Sequence, residues 1–533
     1  MGSLSVEIGG FPPTFFPTVG GTPLTMPGRT VRTAVGGQLP RGQSGTSAEK
    51  VIVACLLQKQ PRRASNVHAH APSTTTEALN QHMANGIDRP LQGIDALESP
   101  TTPTPMDMAD FRRRSRAVFV GSIGNLVEWY DFYAYAAFAL YFAHLFFPGD
   151  DVVVQQLNAA LLFAFGFLVR PLGGILFGHL ADRYGRRAAL TLSVGLMCFG
   201  SLLIAATPTY ATIGIAAPIM LFVARLLQGL SLGGEYGASA TYLSEVAHPN
   251  HRGFFSSFQY VTLIGGQLCA ILVLLILQKL FLTTEQLMDW GWRIPFIIGA
   301  LLAIVAAYMR RNLQETEAFI DAKKTAKKES SLRALLRYPR EVMLVVGLTM
   351  GGTAAFYTYT TYMQKYLKLT VNLSDDQTTM VTAGSLILAM ILQPLYGALS
   401  DVIGRKWLLI GFGVAGTLFT IPLLVSLQNA QGPLEAFILI ALAWVIVTGY
   451  TSINAVVKAE LFPTRVRATG VALPYAITVS LFGGTAEPIA LWFKSSGHES
   501  WFYYYLTACI ATSLVVYVSM RDTRQDSAMH RHE

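Results

Sequence analysis

The chain has 533 residues, 52% of them hydrophobic and 14% charged, with a formal net charge of +8 and a mean hydropathy of +0.41. Soluble proteins carry about 25% charged residues and divide into domains with polar surfaces at this length, so an ordinary soluble protein is excluded. The positive charge does not indicate nucleic-acid binding, because the basic residues are confined to particular loops.

Residues 1–110 stand apart. They are rich in Gly, Pro, Ser and Thr, carry few aromatics after Phe16, and cannot bury enough apolar surface to fold alone. The run Val51–Leu57 is too short for a span. Ile52-Val53-Ala54-Cys55 lacks the signal-peptide core that a lipoprotein box requires. This segment reads as a disordered tail or a non-native extension from an upstream start codon, with Met106 and Met108 just before the patterned region. The other cysteines (Cys198, Cys269, Cys509) are scattered, without metal-ligand spacing or a disulfide framework.

Beyond that point, runs of about 20 or more apolar residues alternate with short polar loops, and about 20 residues of helix cross the hydrocarbon of a bilayer. The hydropathy predicts an all-α membrane protein of twelve transmembrane helices, at about 116–143, 155–181, 188–206, 212–240, 254–281, 291–310, 342–367, 377–400, 407–427, 433–460, 468–491 and 500–520. Arg112–Arg116, Arg183 with Arg186 and Arg187, Arg252, the Lys/Arg-dense segment from Arg310 to Arg340, Arg405 with Lys406, Arg465 with Arg467, and Arg521 fall in alternate loops. Asp150, Asp151, Glu285, Asp289, Asp375 and Asp376 occupy the others. Basic loops face the cytoplasm, so both termini are predicted inside.

Gly178-His179-Leu180-Ala181-Asp182-Arg183-Tyr184-Gly185-Arg186-Arg187 follows the second span. Gly397-Ala398-Leu399-Ser400-Asp401-Val402-Ile403-Gly404-Arg405-Lys406 follows the eighth. A second echo links Glu245, Pro249, Arg252 and Gly253 after span four with Glu460, Pro463 and Arg467 after span ten. The chain therefore reads as a duplicated six-helix unit. The boundaries are a bundle at 111–310, a cytoplasmic linker at 311–341, a second bundle at 342–520 and a tail at 521–533. Such repeats are a transporter architecture with the site at mid-membrane between the halves.

The twice-repeated loop resembles the signature of the major facilitator superfamily. The resemblance implies that Asp182, Arg186, Asp401 and Arg405 gate the cytoplasmic side, with Val402 replacing a usual basic residue in the second copy. Gly124-Asn125-Leu126-Val127-Glu128-Trp129-Tyr130-Asp131-Phe132-Tyr133, Arg170-Pro171-Leu172-Gly173-Gly174 and the Arg225, Gln228, Gly229, Gly233, Gly234, Glu235, Tyr236 set resemble the metabolite:proton symporter branch. Ser257–Gln267 and Tyr357–Tyr366 are similar to members that carry α-ketoglutarate. The resemblance covers about residues 112–520 and implies import of that substrate, with protons as coupling ion, by a monomer in the bacterial inner membrane.

A charge within a span costs about 2.5–3.5 kcal/mol and faces a partner or a wet cavity. Glu128 and Arg170 are each about 12 residues from the basic ends of spans one and two, a depth of about 18 Å. Asn125, Glu128, Asp131 and Tyr135 share a helical face by their spacing. One reading has Arg170 grip a carboxylate while Glu128 or Asp131 takes the coupled proton; the other is a structural ion pair between the two spans. Arg225 and Glu235 either join a proton relay or pack helices. Lys365 either binds carboxylate, among Tyr357, Tyr359, Tyr362 and Gln364, or snorkels to the interface. Arg293 reads as an interfacial anchor. Tyr133, Gln259, Gln267 and Asn454 are candidate hydrogen-bond donors or polar links between helices.

No enzyme chemistry, metal site or cofactor motif stands out, and the phosphate-cradling Gly-x-x-x-x-Gly-Lys loop of ATP-driven pumps is missing. Alternatives are the same machine for citrate, a C4-dicarboxylate, shikimate, or an osmolyte such as proline or betaine. Osmosensing relatives tend to carry a C-terminal coiled coil, and the tail after Met520 has about a dozen residues without heptads. A transport-dead solute sensor is the alternative of a different class; it needs an ordered appended domain, which neither the N-terminal segment nor the middle loop is composed to form.

Overall fold

A computed structural model describes residues 107–528, apart from 185, 234, 311–334 and 464–465. The proposed extension, but for its last four residues, and most of the linker lie outside the described residues. Every regular element among the described residues is helical.

The first half begins with α1 (Met108–Phe146), whose N-cap Asp107 accepts from the Asp110 amide at 2.6 Å. It continues through α2 (Val152–Leu168), α3 (Arg170–Tyr184), α4 (Arg186–Ala206), α5 (Ala216–Leu232), α6 (Glu235–Val246), α7 (Arg252–Ile276) and α8 (Ile294–Arg310). The second half holds α9 (Pro339–Tyr357), α10 (Met363–Leu369), α11 (Asp375–Ile403), α12 (Arg405–Gln428), α13 (Pro433–Thr451), α14 (Asn454–Leu461), α15 (Arg467–Thr478), α16 (Ala486–Ser495) and α17 (Glu499–Ser519). Pro339 and Pro433 open their helices, where the missing N–H costs nothing. Ser374 and Gln377 close a reciprocal capping box at the start of α11. Wide π-helical turns at Thr358–Tyr362 and Val479–Gly483 join α9 to α10 and α15 to α16. Such turns concentrate at functional positions.

Among the described residues, eight helices are long and apolar enough to cross a membrane: Val152–Phe177, Pro249–Phe281, Pro339–Leu369, Asp375–Ile403, Arg405–Gln428, Pro433–Leu461, Arg467–Ser495 and Glu499–Ser519. They coincide with the second, fifth and seventh to twelfth predicted spans. The remaining four predicted spans fall on α1, α4, α5 with α6, and α8.

The halves meet along paired helices: α7 against α11, α6 and α3 against α15, and α2 against α16. Aromatic and small residues fill the interior, while leucines, isoleucines and valines such as Leu172, Ile219, Leu301, Leu418 and Val515 remain exposed on the outside. An apolar outside around a polar-containing inside is what a hydrocarbon solvent selects.

Candidate functional site

Arg170 begins α3 just past the irregular residue Val169. Pro171 has no N–H, so the Phe167 carbonyl loses its helical donor and instead accepts from Ser480 Oγ of the second half at 2.5 Å. The Arg170 guanidinium is buried against the rings of Phe167 (3.9 Å), Phe132 (4.5 Å) and Trp129 (4.8 Å). Its Nε and Nη2 complete no hydrogen bond of normal geometry among the described residues, and neither do the hydroxyls of Tyr133 and Tyr357, although the two tyrosines and the guanidinium interact with one another. Both tyrosines lie within electrostatic reach of the guanidinium. Aromatic faces contribute about 0.5–2 kcal/mol each to a cation, but they leave its hydrogen-bonding capacity unfilled.

A narrow cavity lies between the halves, lined by Trp129, Arg170 and Tyr236 from the first and by Ala472, Tyr475 and Val479 from the second. It leaves about 10 Å³ for the centre of a water molecule, room for about one water. Backbone contact between α2–α3 and α5 fixes the position of Arg170. A Cβ on Gly229 would meet the Gly166 carbonyl at 2.0 Å, one on Gly173 the Leu230 carbonyl at 2.1 Å, and one on Gly233 the Arg170 carbonyl at 2.1 Å. Small residues at such spacing let helices approach closely in lipid.

The face of α1 that the sequence treats as one unit divides. Asp131 turns into the first half, where its carboxylate accepts from Ser201 Oγ and from Gln228 Nε2, the latter at 2.8 Å. Gln228 Oε1 accepts from Arg225 at 2.6 Å, so the acid and Arg225 are joined through an amide. A side chain on Gly299 would stand 2.2 Å from the Asp131 carboxylate, which explains the glycine. Arg225 is fully buried, and the Phe132 ring lies within cation–π distance of both arginines, 4.3 Å from Arg225. Glu128 is also buried. Asn125 links α1 to α7, donating to Thr262 at 2.8 Å.

Lys365 does not snorkel: it is 1% exposed and ion-paired with Glu487, equally buried. Tyr362 is not brought to the cavity, since its hydroxyl donates to Glu499 at 3.2 Å. Gln259 accepts from Ser239 at 2.8 Å, and Gln267 donates across the halves to the Thr360 carbonyl at 2.9 Å; each retains one unpartnered amide atom. Arg293 donates to the carbonyls of Ala205 and Thr207, holding α8 to the end of α4.

At the end carrying the basic loops, Asp401 accepts from the Gly253 and Phe254 amides at 2.8 and 2.9 Å, so the second half caps a first-half helix. Arg405 holds that carboxylate at 2.9 Å and reaches Glu460 at 3.5 Å. Gly404 makes the turn at φ 97°, a conformation open to glycine. Val402 is exposed. The side chains of Asp182, Arg186 and Glu235 lie outside the described residues. At the opposite end, Lys279 pairs with Asp376, and Gln364 donates to the Ala137 carbonyl at 3.2 Å. The halves touch at both ends, enclosing the Arg170 cavity.

Two buried charges escaped the sequence reading. Glu487 lies inside the eleventh predicted span, and its signal was its presence there. Lys458 falls two residues from the predicted end of the tenth, where a lysine reads as a boundary residue, yet it is fully buried.

The sequence matches the model of the sugar (and other) transporter family over residues 117–335 and 310–533. The chain belongs to this family of the major facilitator superfamily. Within it, the chain is 49% identical over 421 residues to the alpha-ketoglutarate permease of Escherichia coli strain K12, covering 79% of this chain and 97% of that one. It is 34% identical over 384 residues to the citrate-proton symporter of Salmonella typhi, covering 70% and 88%. The proline/betaine transporter of Salmonella typhimurium is 32% identical over 438 residues, covering 80% and 87%. Among solved structures, a major facilitator proton:xylose symporter bound to 6-bromo-6-deoxy-D-glucose is similar in fold, with a TM-score of 0.63, 17% identity, and coverage of 79% and 98%. The partially occluded inward-open xylose transporter of E. coli is similar too, at a TM-score of 0.59, 17% identity, and coverage of 76% and 97%. The protein is a multi-pass membrane transporter, and the cavity between its halves is the candidate transport site.

Proposed function

We propose that this transporter imports α-ketoglutarate with protons across the bacterial cytoplasmic membrane, as a monomer of twelve spans with both termini inside. The observation that carries the substrate class is Arg170: a buried cation between the halves with two nitrogens that complete no hydrogen bond of normal geometry among the described residues. A carboxylate fits that need, because a guanidinium presents paired donors to two carboxylate oxygens. The similarity to a permease named for α-ketoglutarate selects the member of the class. In this reading Tyr133, Gln259 and Gln267 supply further hydrogen bonds, Glu128 or Asp131 takes the coupled proton, and Arg225 organises Asp131 through Gln228. Lys365, neutralised by Glu487, holds α10 to α16 in the closed conformation. Asp401 and Arg405, with Asp182 and Arg186 in the first repeat, gate the cytoplasmic side as the halves rock about the cavity.

The test is uptake of labelled α-ketoglutarate into proteoliposomes under an imposed pH gradient, with citrate, succinate, shikimate and proline as competitors. Uptake should collapse with a protonophore and fall about 10- to 100-fold in Arg170→Ala, the value of losing charge-assisted hydrogen bonds of about 1.5–3 kcal/mol. Uptake indifferent to the protonophore would sink proton coupling. Near-normal uptake by Arg170→Ala would remove that residue from the site.

A further inference from the structure

Lys458, on α14, is fully buried, and no carboxylate among the described residues forms an ion pair with it. Its Nζ donates to the Tyr236 hydroxyl at 2.9 Å and lies 3.6 Å from the centre of the Tyr475 ring. Three other buried cations are paired directly with acids: Lys365 with Glu487, Arg405 with Asp401, and Arg467 with Glu245, while Arg225 reaches Asp131 through Gln228. A buried ion without a countercharge is expensive, so its retention points to a partner that arrives later. Asn454, one helical turn earlier on α14, is equally buried and lies beside Tyr236, and neither of its amide atoms completes a hydrogen bond of normal geometry among the described residues.

Tyr236 and Tyr475 stack at 3.7 Å, 13° from parallel, and both line the Arg170 cavity. Tyr236 belongs to the first half and Tyr475 to the second, so the stack crosses the interface, with Lys458 against the two tyrosines and Arg170 lining the cavity that both rings border. A movement that parts the halves here separates the two rings.

We propose that Lys458 is the second carboxylate-binding residue of the transport site, taking one carboxylate of a dicarboxylate substrate while Arg170 takes the other. The proposal rests on the α-ketoglutarate reading. Each half then contributes one cation, the substrate spans the interface, and Asn454 adds hydrogen bonds beside Lys458. A packing role makes a different forecast, since a residue that touches no substrate has no means of ranking the diacid against its monoamides.

The experiment measures inhibition of labelled α-ketoglutarate uptake by the unlabelled diacid and by each of its two monoamides, in wild type and Lys458→Gln. Wild type should prefer the diacid over both monoamides. In Lys458→Gln, affinity for the diacid should fall about 10- to 100-fold and the preference over one monoamide should shrink to within about threefold. Lys458→Met serves the same comparison if the glutamine variant does not purify as a monodisperse protein. Preferences within twofold of wild type, or uniform weakening of all three compounds, overturn the proposal. Wild-type protein that ignores α-ketoglutarate overturns the transport reading itself, a result distinct from the other two.

Discussion

Arg467, at the start of α15, donates to Glu245, near the end of α6, at 2.6 Å. In sequence each belongs to its own copy of a repeated Glu-to-Arg motif, and the fold crosses the copies. Glu245 pairs with the arginine of the second repeat, while Glu460 of the second lies within electrostatic reach of Arg252 of the first. The repeats meet face to face at the end bearing the basic loops, so equivalent residues find each other across the interface.

Glu245 is 44% exposed, and a pair of that kind contributes at most about 1 kcal/mol to stability. Glu245→Gln should fold normally but open more often at this end. A cysteine introduced at cavity-lining Ala476 should react with a thiol reagent about fivefold faster in that background, the equivalent of about 1 kcal/mol. An unchanged alkylation rate would mean that the pair does not help hold the end shut.

Lys365 and Glu487 behave differently, because both are buried. Lys365→Met or Glu487→Met alone leaves an uncompensated buried group and should cost about 3–5 kcal/mol, whereas the two substitutions together should recover most of it. Melting temperatures of the three proteins in detergent, read as a double-mutant cycle, check this. Additive losses would show that the two residues are not coupled.

Gly229→Ala should abolish monodisperse protein, since the added methyl would stand 2.0 Å from the Gly166 carbonyl and backbone cannot yield as a side chain does. Gly195→Ala, with nothing within 4 Å of the new atom, should match or exceed wild-type stability. Size-exclusion profiles of the two variants provide the comparison, and equal yields would contradict the close approach of α2 and α5.

Much of the site's scaffold was legible beforehand. Arg170 stands out in the sequence because a cation deep in an apolar run must have a purpose, whereas the close backbone approaches at Gly173, Gly229 and Gly233 emerge only from the structure. Lys365 was legible as a charge but not as a pair, because Glu487 is 122 residues away. Tyr362 was selected for its neighbours in sequence, yet the π-helical turn and Glu499 hold its hydroxyl elsewhere.

The sequence by itself determined what the solvent and the duplication determine: a membrane chain, its alternating basic and acidic loops, two related halves, and a family signature. These depend on run length and local spacing, which survive without a fold. Only the tertiary structure decided which charges meet. Lys458 reaches Tyr236 over 222 positions of chain, and Glu245 reaches Arg467 over the same separation. Contacts of that range depend on how two helical bundles lie against each other, and no periodicity along one helix encodes it.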